Sequence, residues 1–198
     1  MNDFIKLCVF VFFISISNNS WAQKHDNSLE KTIFKVLKAY QSKDEKTLNT
    51  LIQKDFGIAI LYKRGVYDNL AIVDRLTFNR PIPEYLAFDH EISTDYKIHF
   101  GTLPEFSCDT LEWNKPHGIY CDVNKIDKTL STVAKDENKI LEENVWSSQK
   151  IKKLEEIENK SHKIIVIGKE EGVFIFYLMF HKNKWYLVAI DRFEVCDA

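Results

Sequence analysis

The feature that most constrains the fold is the series of apolar segments near the end of the chain. Lys163-Ile164-Ile165-Val166-Ile167-Gly168 reads as a strand, and Lys169-Glu170-Glu171-Gly172 as a turn. Val173-Phe174-Ile175-Phe176-Tyr177-Leu178-Met179-Phe180 follows, apolar on both sides, as befits the centre of a sheet covered on each face. His181-Lys182-Asn183-Lys184 turns the chain again, and Trp185-Tyr186-Leu187-Val188-Ala189-Ile190-Asp191-Arg192-Phe193 returns as a third strand. Turns this short cannot carry a parallel crossover, which needs about a dozen residues. The segments therefore form an antiparallel three-stranded meander.

Helical periodicity lies at the other end. Asn27 or Ser28 caps a helix that runs to about Gln41, with Glu30 completing a capping box from Asn27. Leu29, Ile33, Val36, Leu37 and Tyr40 recur at helical spacing and form one apolar stripe. Ser42 and Glu45 have the spacing of a second capping box, opening a shorter helix with Leu48, Leu51 and Ile52 on its buried face. Gly57 ends that unit, and Ile58-Ala59-Ile60-Leu61-Tyr62 reads as a buried strand, with a turn at Lys63-Arg64-Gly65. Val66 to Leu76 fits either strand or helix, and Pro81 and Pro83 keep Asn79 to Glu84 out of regular helix. Tyr96-Lys97-Ile98-His99-Phe100 alternates like a strand. Lys125 to Asn144 holds a helix plus a connecting loop, and Ser148 precedes an amphipathic helix carrying Ile151, Leu154 and Ile157. Helices first and a meander last describe an α+β fold. The N-terminal helices are expected to pack on one face of a curved antiparallel sheet that ends in the C-terminal meander.

The two leading helices, the strand after Gly57 and the closing Lys184-Trp185-Tyr186-Leu187-Val188-Ala189-Ile190-Asp191 together resemble the nuclear-transport-factor-two-like (cystatin-like cone) superfamily. The resemblance covers about Ser28 to Tyr62 and Lys163 to Phe193 and is architectural rather than chemical. It implies a curved sheet wrapped around a pocket, which some members use for catalysis and others only for binding.

Residues Met1 to Ala22 have the three regions of a secretory signal peptide. Lys6 lies in the n-region, Leu7 to Ile16 is the apolar h-region, and Ser20-Trp21-Ala22 places small residues before a cut between Ala22 and Gln23. The apolar run is shorter than the roughly 20 residues that span a bilayer. Cys8 precedes most of that run, whereas a lipid-modified cysteine follows it. The expected organisation is a signal peptide, 1–22, and a single α+β domain, 23–198, secreted or periplasmic and without a membrane anchor after cleavage.

Cys108, Cys121 and Cys196 remain in a compartment that permits disulfides. If the strands around the first two pair antiparallel across Asn114-Lys115-Pro116-His117-Gly118, then Cys108 faces Cys121, Phe106 faces Val123 and Thr110 faces Ile119. The expectation is a Cys108–Cys121 bridge, the alternative being two buried thiols. Cys196 is then left over, either unpaired or joined to another molecule. Cys108, His117 and Cys121 have only loose metal-ligand spacing and lack a fourth ligand.

Motifs of familiar chemistry are missing. There is no G-x-S-x-G, P-loop, H-E-x-x-H or G-x-G-x-x-G pattern, and the six glycines do not cluster into a phosphate loop. Net charge is −2, so no basic excess offers itself to nucleic acid. The best catalytic candidate is Asp191, which strict alternation places on one face with Trp185, Leu187, Ala189 and Phe193. A carboxyl in such surroundings has a raised pKa suited to acid–base work, with Tyr177, His181 or His99 as partner. The plainer reading is that Asp191 and Arg192 form an ion-paired or solvated strand end. Asp89-His90-Glu91 reads as a solvated loop, Lys150 to Lys160 as a solvated helix face, and Asn159-Lys160-Ser161 as a sequon only in a eukaryotic source. No cofactor or metal is expected. Two functions follow from different classes. One is a non-enzymatic binding protein for a protein or small ligand, an immunity-type neutraliser of a secreted toxin being one form. The other is a small cone-pocket enzyme using Asp191 as general acid or base.

Overall fold

The computed structural model describes residues 27–88, 91–122, 129–169, 172–194 and 196 of the 198-residue chain. The proposed signal peptide and its Ala22–Gln23 cleavage site lie outside them. The chain divides into two compact units, residues 1–35 and 36–198. In the first, residues 27–35 are helical, and the Thr32 hydroxyl donates to the Ser28 carbonyl at 2.8 Å.

The helix, α1, runs over 27–41 and so ends within the second unit. A short α2, Glu45–Asn49, follows. Its N-cap is Asp44 rather than Ser42. The Asp44 carboxylate accepts from the Thr47 amide at 3.0 Å, and its hydrogen bonds with Thr47 hold its pKa below the usual value. The Ser42 hydroxyl instead donates back to the Lys38 carbonyl at 2.8 Å. Strand β1, Ile58–Arg64, pairs antiparallel with β2, Tyr67–Val73, across a turn at Gly65 and Val66. That pairing resolves Tyr67–Val73, the greater part of the ambiguous Val66–Leu76 segment, as strand. Gly57, just before β1, has φ +82° and lies so close to Val73 that a Cβ there would stand 2.4 Å from its carbonyl oxygen. Next come β3, Ile98–Phe100, the short β4, Phe106–Ser107, and β5, Glu112–Trp113, then β6, Gly118–Cys121. Helices α3, Thr129–Leu141, and α4, Ser148–Glu158, lead into β7, Ser161–Ile167, β8, Val173–His181, and β9, Lys184–Asp191.

The α+β class holds, and β7, β8 and β9 form the expected antiparallel meander. Lys182 and Asn183, at φ 47° and 61°, make its second connection a tight two-residue turn whose twist suits a hairpin. The seven-stranded sheet has the order β2-β1-β9-β8-β7-β6-β3. It is not wholly antiparallel, because β1 joins β9, and β3 joins β6, in parallel. Nor is it covered on one face only. Leu130, Val133 and Ala134 of α3 and Leu154 and Ile157 of α4 share a core with Leu61, Ile165, Ile175 and Tyr177. On the opposite face Tyr40 of α1 stacks on Phe174 at 3.9 Å and meets Phe78 and Phe88 edge-on. The fully apolar β8 needs that double cover, since its successive side chains point to opposite faces.

The cysteine pairing is a correction. Cys108 is bonded to Cys196, with Cα atoms 5.6 Å apart, and the expected Cys108–Cys121 bridge is not formed. The chain reverses immediately after Ser107, so β4 folds back on β5, with Phe106 opposite Trp113. Leu111, at φ 56°, takes the left-handed position in that reversal. β6 pairs with β3 on one side and β7 on the other, which leaves no edge for the Cys108 strand. Cys121 is buried in β6, its sulfur 3.7 Å from the Asp122 carbonyl oxygen.

Candidate functional site

The site is built at the end of β9. Between β8 and β9, Tyr177 faces Ala189 but Leu178 faces Leu187, so Val188 is an extra residue on β9. This bulge reverses the alternation beyond it. Val188 and Ala189 both belong to the core beneath α3 and α4, with Tyr186 and Phe193 packed against it. Asp191 therefore shares a face with Ala189 and Phe193 as expected, but not with Trp185 and Leu187. The corrected neighbours are Ile175 on β8 and Leu61 on β1, directly opposite Asp191 across the sheet.

About a quarter of the Asp191 side chain, 24%, stays accessible, and the Lys163 Nζ lies 3.9 Å from its Oδ2. The same ammonium sits 5.6 Å from the centre of the Tyr177 ring. Burial pushes the Asp191 carboxyl above its ordinary value. Lys163 pulls it back, the Asp68 carboxylate pushes it up again, and Lys63 opposes that. Tyr177 and Asp191 are thus brought together through Lys163. His181 is not: it lies six residues along β8 from the partner of Asp191, about 20 Å at strand rise. Strand geometry separates them, so the grouping of Asp191, Tyr177 and His181 is corrected to Asp191, Tyr177 and Lys163. His99, four strands away on the edge strand β3, stacks on Tyr120 at 5.3 Å. Burial raises the Tyr120 phenol, whose hydroxyl donates to the Pro116 carbonyl at 2.9 Å.

Asp191 opens into a cavity of about 230 Å³. Leu61 and Lys63 of β1, Asp68 of β2, Val133 of α3, Phe106 and Phe193 line it. Phe193 packs against Phe106 and Trp113 at 5.2 Å each, and the two latter rings are 5.3 Å apart. Cys196 also lines the cavity, so the Cys108–Cys196 bridge straps the C-terminal tail to the β4–β5 hairpin at its rim. Glu194, a further lining residue, accepts the Lys63 amide at 3.3 Å, and the Tyr85 hydroxyl, 3.2 Å from Glu194, also meets the Lys63 carbonyl.

Arg192 takes no part in an Asp191–Arg192 pair. Its guanidinium donates to the carbonyls of Ile82, Leu86 and Ala87 at 3.3, 2.6 and 2.8 Å and covers the Phe88 ring at 3.6 Å. Of the Asp89-His90-Glu91 group, Asp89 and His90 lie outside the described residues. Glu91 is exposed and lines a second, polar cavity of about 280 Å³ with Ser93, Asp95 and Lys169. Among the described residues no cluster of three or more His, Cys, Asp or Glu side chains has metal-binding geometry.

Sequence reasoning missed Lys163, Lys63 and Asp68. One signal for Lys163 was present: by alternation it faces the same way as Ile165 and Ile167, which makes it a charge on a core-facing position. Compared with family models, curated proteins and solved structures, the chain shows no significant match.

Proposed function

We propose that this chain is a secreted or periplasmic, non-enzymatic binding protein whose site is the Asp191 cavity, taking a small ligand or an exposed side chain of a protein partner. The observation that carries the reading is a small, pre-formed, largely apolar cavity with the partly buried Asp191 carboxylate in its wall and a disulfide at its rim. Ligand pockets combine apolar walls with a few placed polar groups, and at about 230 Å³ this one falls below the roughly 300–1,000 Å³ of drug-sized sites. The bridge supports an oxidising compartment, in keeping with the signal-like first 22 residues. No helix among the described residues is long and apolar enough to cross a membrane. The cone-superfamily resemblance, with its pocket on one face of the sheet, belongs to the same proposal.

Affinity capture from an extracytoplasmic extract tests it, using residues 23–198 with the bridge intact and Asp191→Asn as comparator. The expected result is a ligand or partner enriched by the wild type and lost with the variant. Equal recovery by both proteins refutes the assignment to this cavity. A second reading, an enzyme using Asp191 as general acid or base, is favoured by the raised carboxyl beside Lys163. Turnover of the captured ligand by wild type, abolished in Asp191→Asn, would replace the first reading with the second.

A further inference from the structure

Taking the Asp191 cavity as the binding site, we infer that its ligand is a small organic monocation, an ammonium or amidinium carried on a short apolar or aromatic body. The walls decide the body: Leu61, Val133, Phe106 and Phe193 offer aliphatic and aromatic surface, and the cavity of about 230 Å³ limits it to roughly the size of one ring with a short arm. The charged groups decide the head. Asp68, Asp191 and Glu194 bring three carboxylates to the lining, and Lys63 brings one ammonium. Arg192 is a lining residue too, but its guanidinium is engaged by the carbonyls of Ile82, Leu86 and Ala87 and is left out of the balance. Lys163 adds a second ammonium from beside Tyr177, at 3.9 Å from Asp191, without itself lining the cavity. The described groups therefore sum to one negative charge, which a monocation cancels and an anion doubles.

Asp191 is the natural anchor. Glu194 already accepts from the Lys63 amide and lies beside the Tyr85 hydroxyl, and Asp68 is exposed to solvent. The Asp191 carboxylate, by contrast, is flanked by Ile175 and Leu61 and has its counter-charge only at the outer limit of an ion pair. A charge-assisted hydrogen bond from a bound cation strengthens in such surroundings. Lys163 would then compete with the ligand for the same carboxylate.

Three probes of one shape separate the alternatives: benzylamine, benzyl alcohol and benzoate, titrated into the disulfide-intact chain at neutral pH and followed by protein NMR. Benzylamine is expected to shift the resonances of Leu61, Val133 and Phe193 and to bind about tenfold more tightly than the alcohol, as one charge-assisted hydrogen bond allows. Asp191→Asn should reduce the amine to the level of the alcohol, and Lys163→Gln, which frees the carboxylate, should raise amine affinity severalfold. Should Asp191→Asn fail to fold, Lys163→Gln still decides, since an unchanged or weaker amine affinity overturns the anchor. Binding of the alcohol or benzoate in preference to the amine overturns the ligand class and leaves the cavity as the site. Silence from all three probes at these residues overturns both.

Discussion

Arg192 and Asp191 are neighbours in sequence whose charges meet opposite solutions, because alternation sends them to opposite faces of the sheet. Arg192 is only 6% exposed, and its planar fork reaches three backbone carbonyls and covers an aromatic face. Arg192→Ala removes the donor of three part-buried hydrogen bonds and uncovers the Phe88 ring, and about 3 kcal/mol of stability should disappear in urea unfolding. Arg192→Lys cannot reach all three carbonyls at once and should fall between. Asp191 carries a cost instead. Its folded-state pKa is raised, so the native state holds its proton more tightly than the unfolded chain. Stability contributed by that proton is complete below the unfolded value and is lost as pH rises through the folded one. Asp191→Asn has no such loss. Its stability relative to wild type, from urea unfolding at a series of pH values, should rise from acid towards neutral pH and level off above the folded pKa. A constant difference across that range would contradict the burial of this carboxyl. Residue type made Asp191 visible as a candidate, but not its neighbours, since one inserted residue at Val188 exchanged Trp185 and Leu187 for Ile175 and Leu61.

Helices α3 and α4 meet through a pair of buried polar groups that periodicity alone does not reveal. Glu158 at the end of α4 is 2% exposed, and its carboxylate accepts both the amide of Ser131 at 3.1 Å and its hydroxyl at 2.6 Å. Ser131 lies in the first turn of α3, where amides lack intrahelical acceptors and the helix dipole favours an anion. A carboxylate from the second helix thus does for the first what an N-cap side chain ordinarily does. Glu158→Ala strands two buried donors and should cost about 2–4 kcal/mol, whereas Glu158→Gln, which keeps an acceptor, should cost less. A double-mutant cycle with Ser131→Ala, read by denaturant unfolding, should give a coupling of about 1 kcal/mol or more. Additive losses would show that the pair is incidental. The position of α4 was readable from Ile151, Leu154 and Ile157, whereas α3 was legible only as a helix somewhere within Lys125 to Asn144. Ser147, accepting from the Lys150 amide, starts α4 one residue before the position periodicity indicated. Which side chain links the helices depends on their packing.

Across the whole molecule, the Cys108–Cys196 bridge closes a loop of 88 residues that contains α3, α4 and the meander. Cross-linking restricts the unfolded chain, and a loop of that length sets an upper limit of about 4.6 kcal/mol in the chain-entropy view. Cys108→Ser with Cys196→Ser should therefore lower stability by about 2–4 kcal/mol. It should also loosen the Phe106, Trp113 and Phe193 cluster, visible as faster hydrogen exchange in the β4–β5 hairpin. Peptide mapping under non-reducing conditions should recover the peptides of Cys108 and Cys196 joined, with Cys121 alkylated only after unfolding. A Cys108–Cys121 peptide pair would reverse the assignment. By itself the sequence determined the local and short-range structure. The meander, the helices near either end and the strand after Gly57 follow from apolar period, turn residues and chain reversal over a few positions, all of which act between near neighbours. Tertiary structure alone decided that β1 lies parallel beside β9, that both faces of the sheet are covered, and that Cys108 meets Cys196. It also decided that Asp191 looks into a cavity beside Lys163 rather than towards Arg192. Those outcomes depend on where distant segments come to rest. A single bulge residue or one early chain reversal moves them without altering any local pattern.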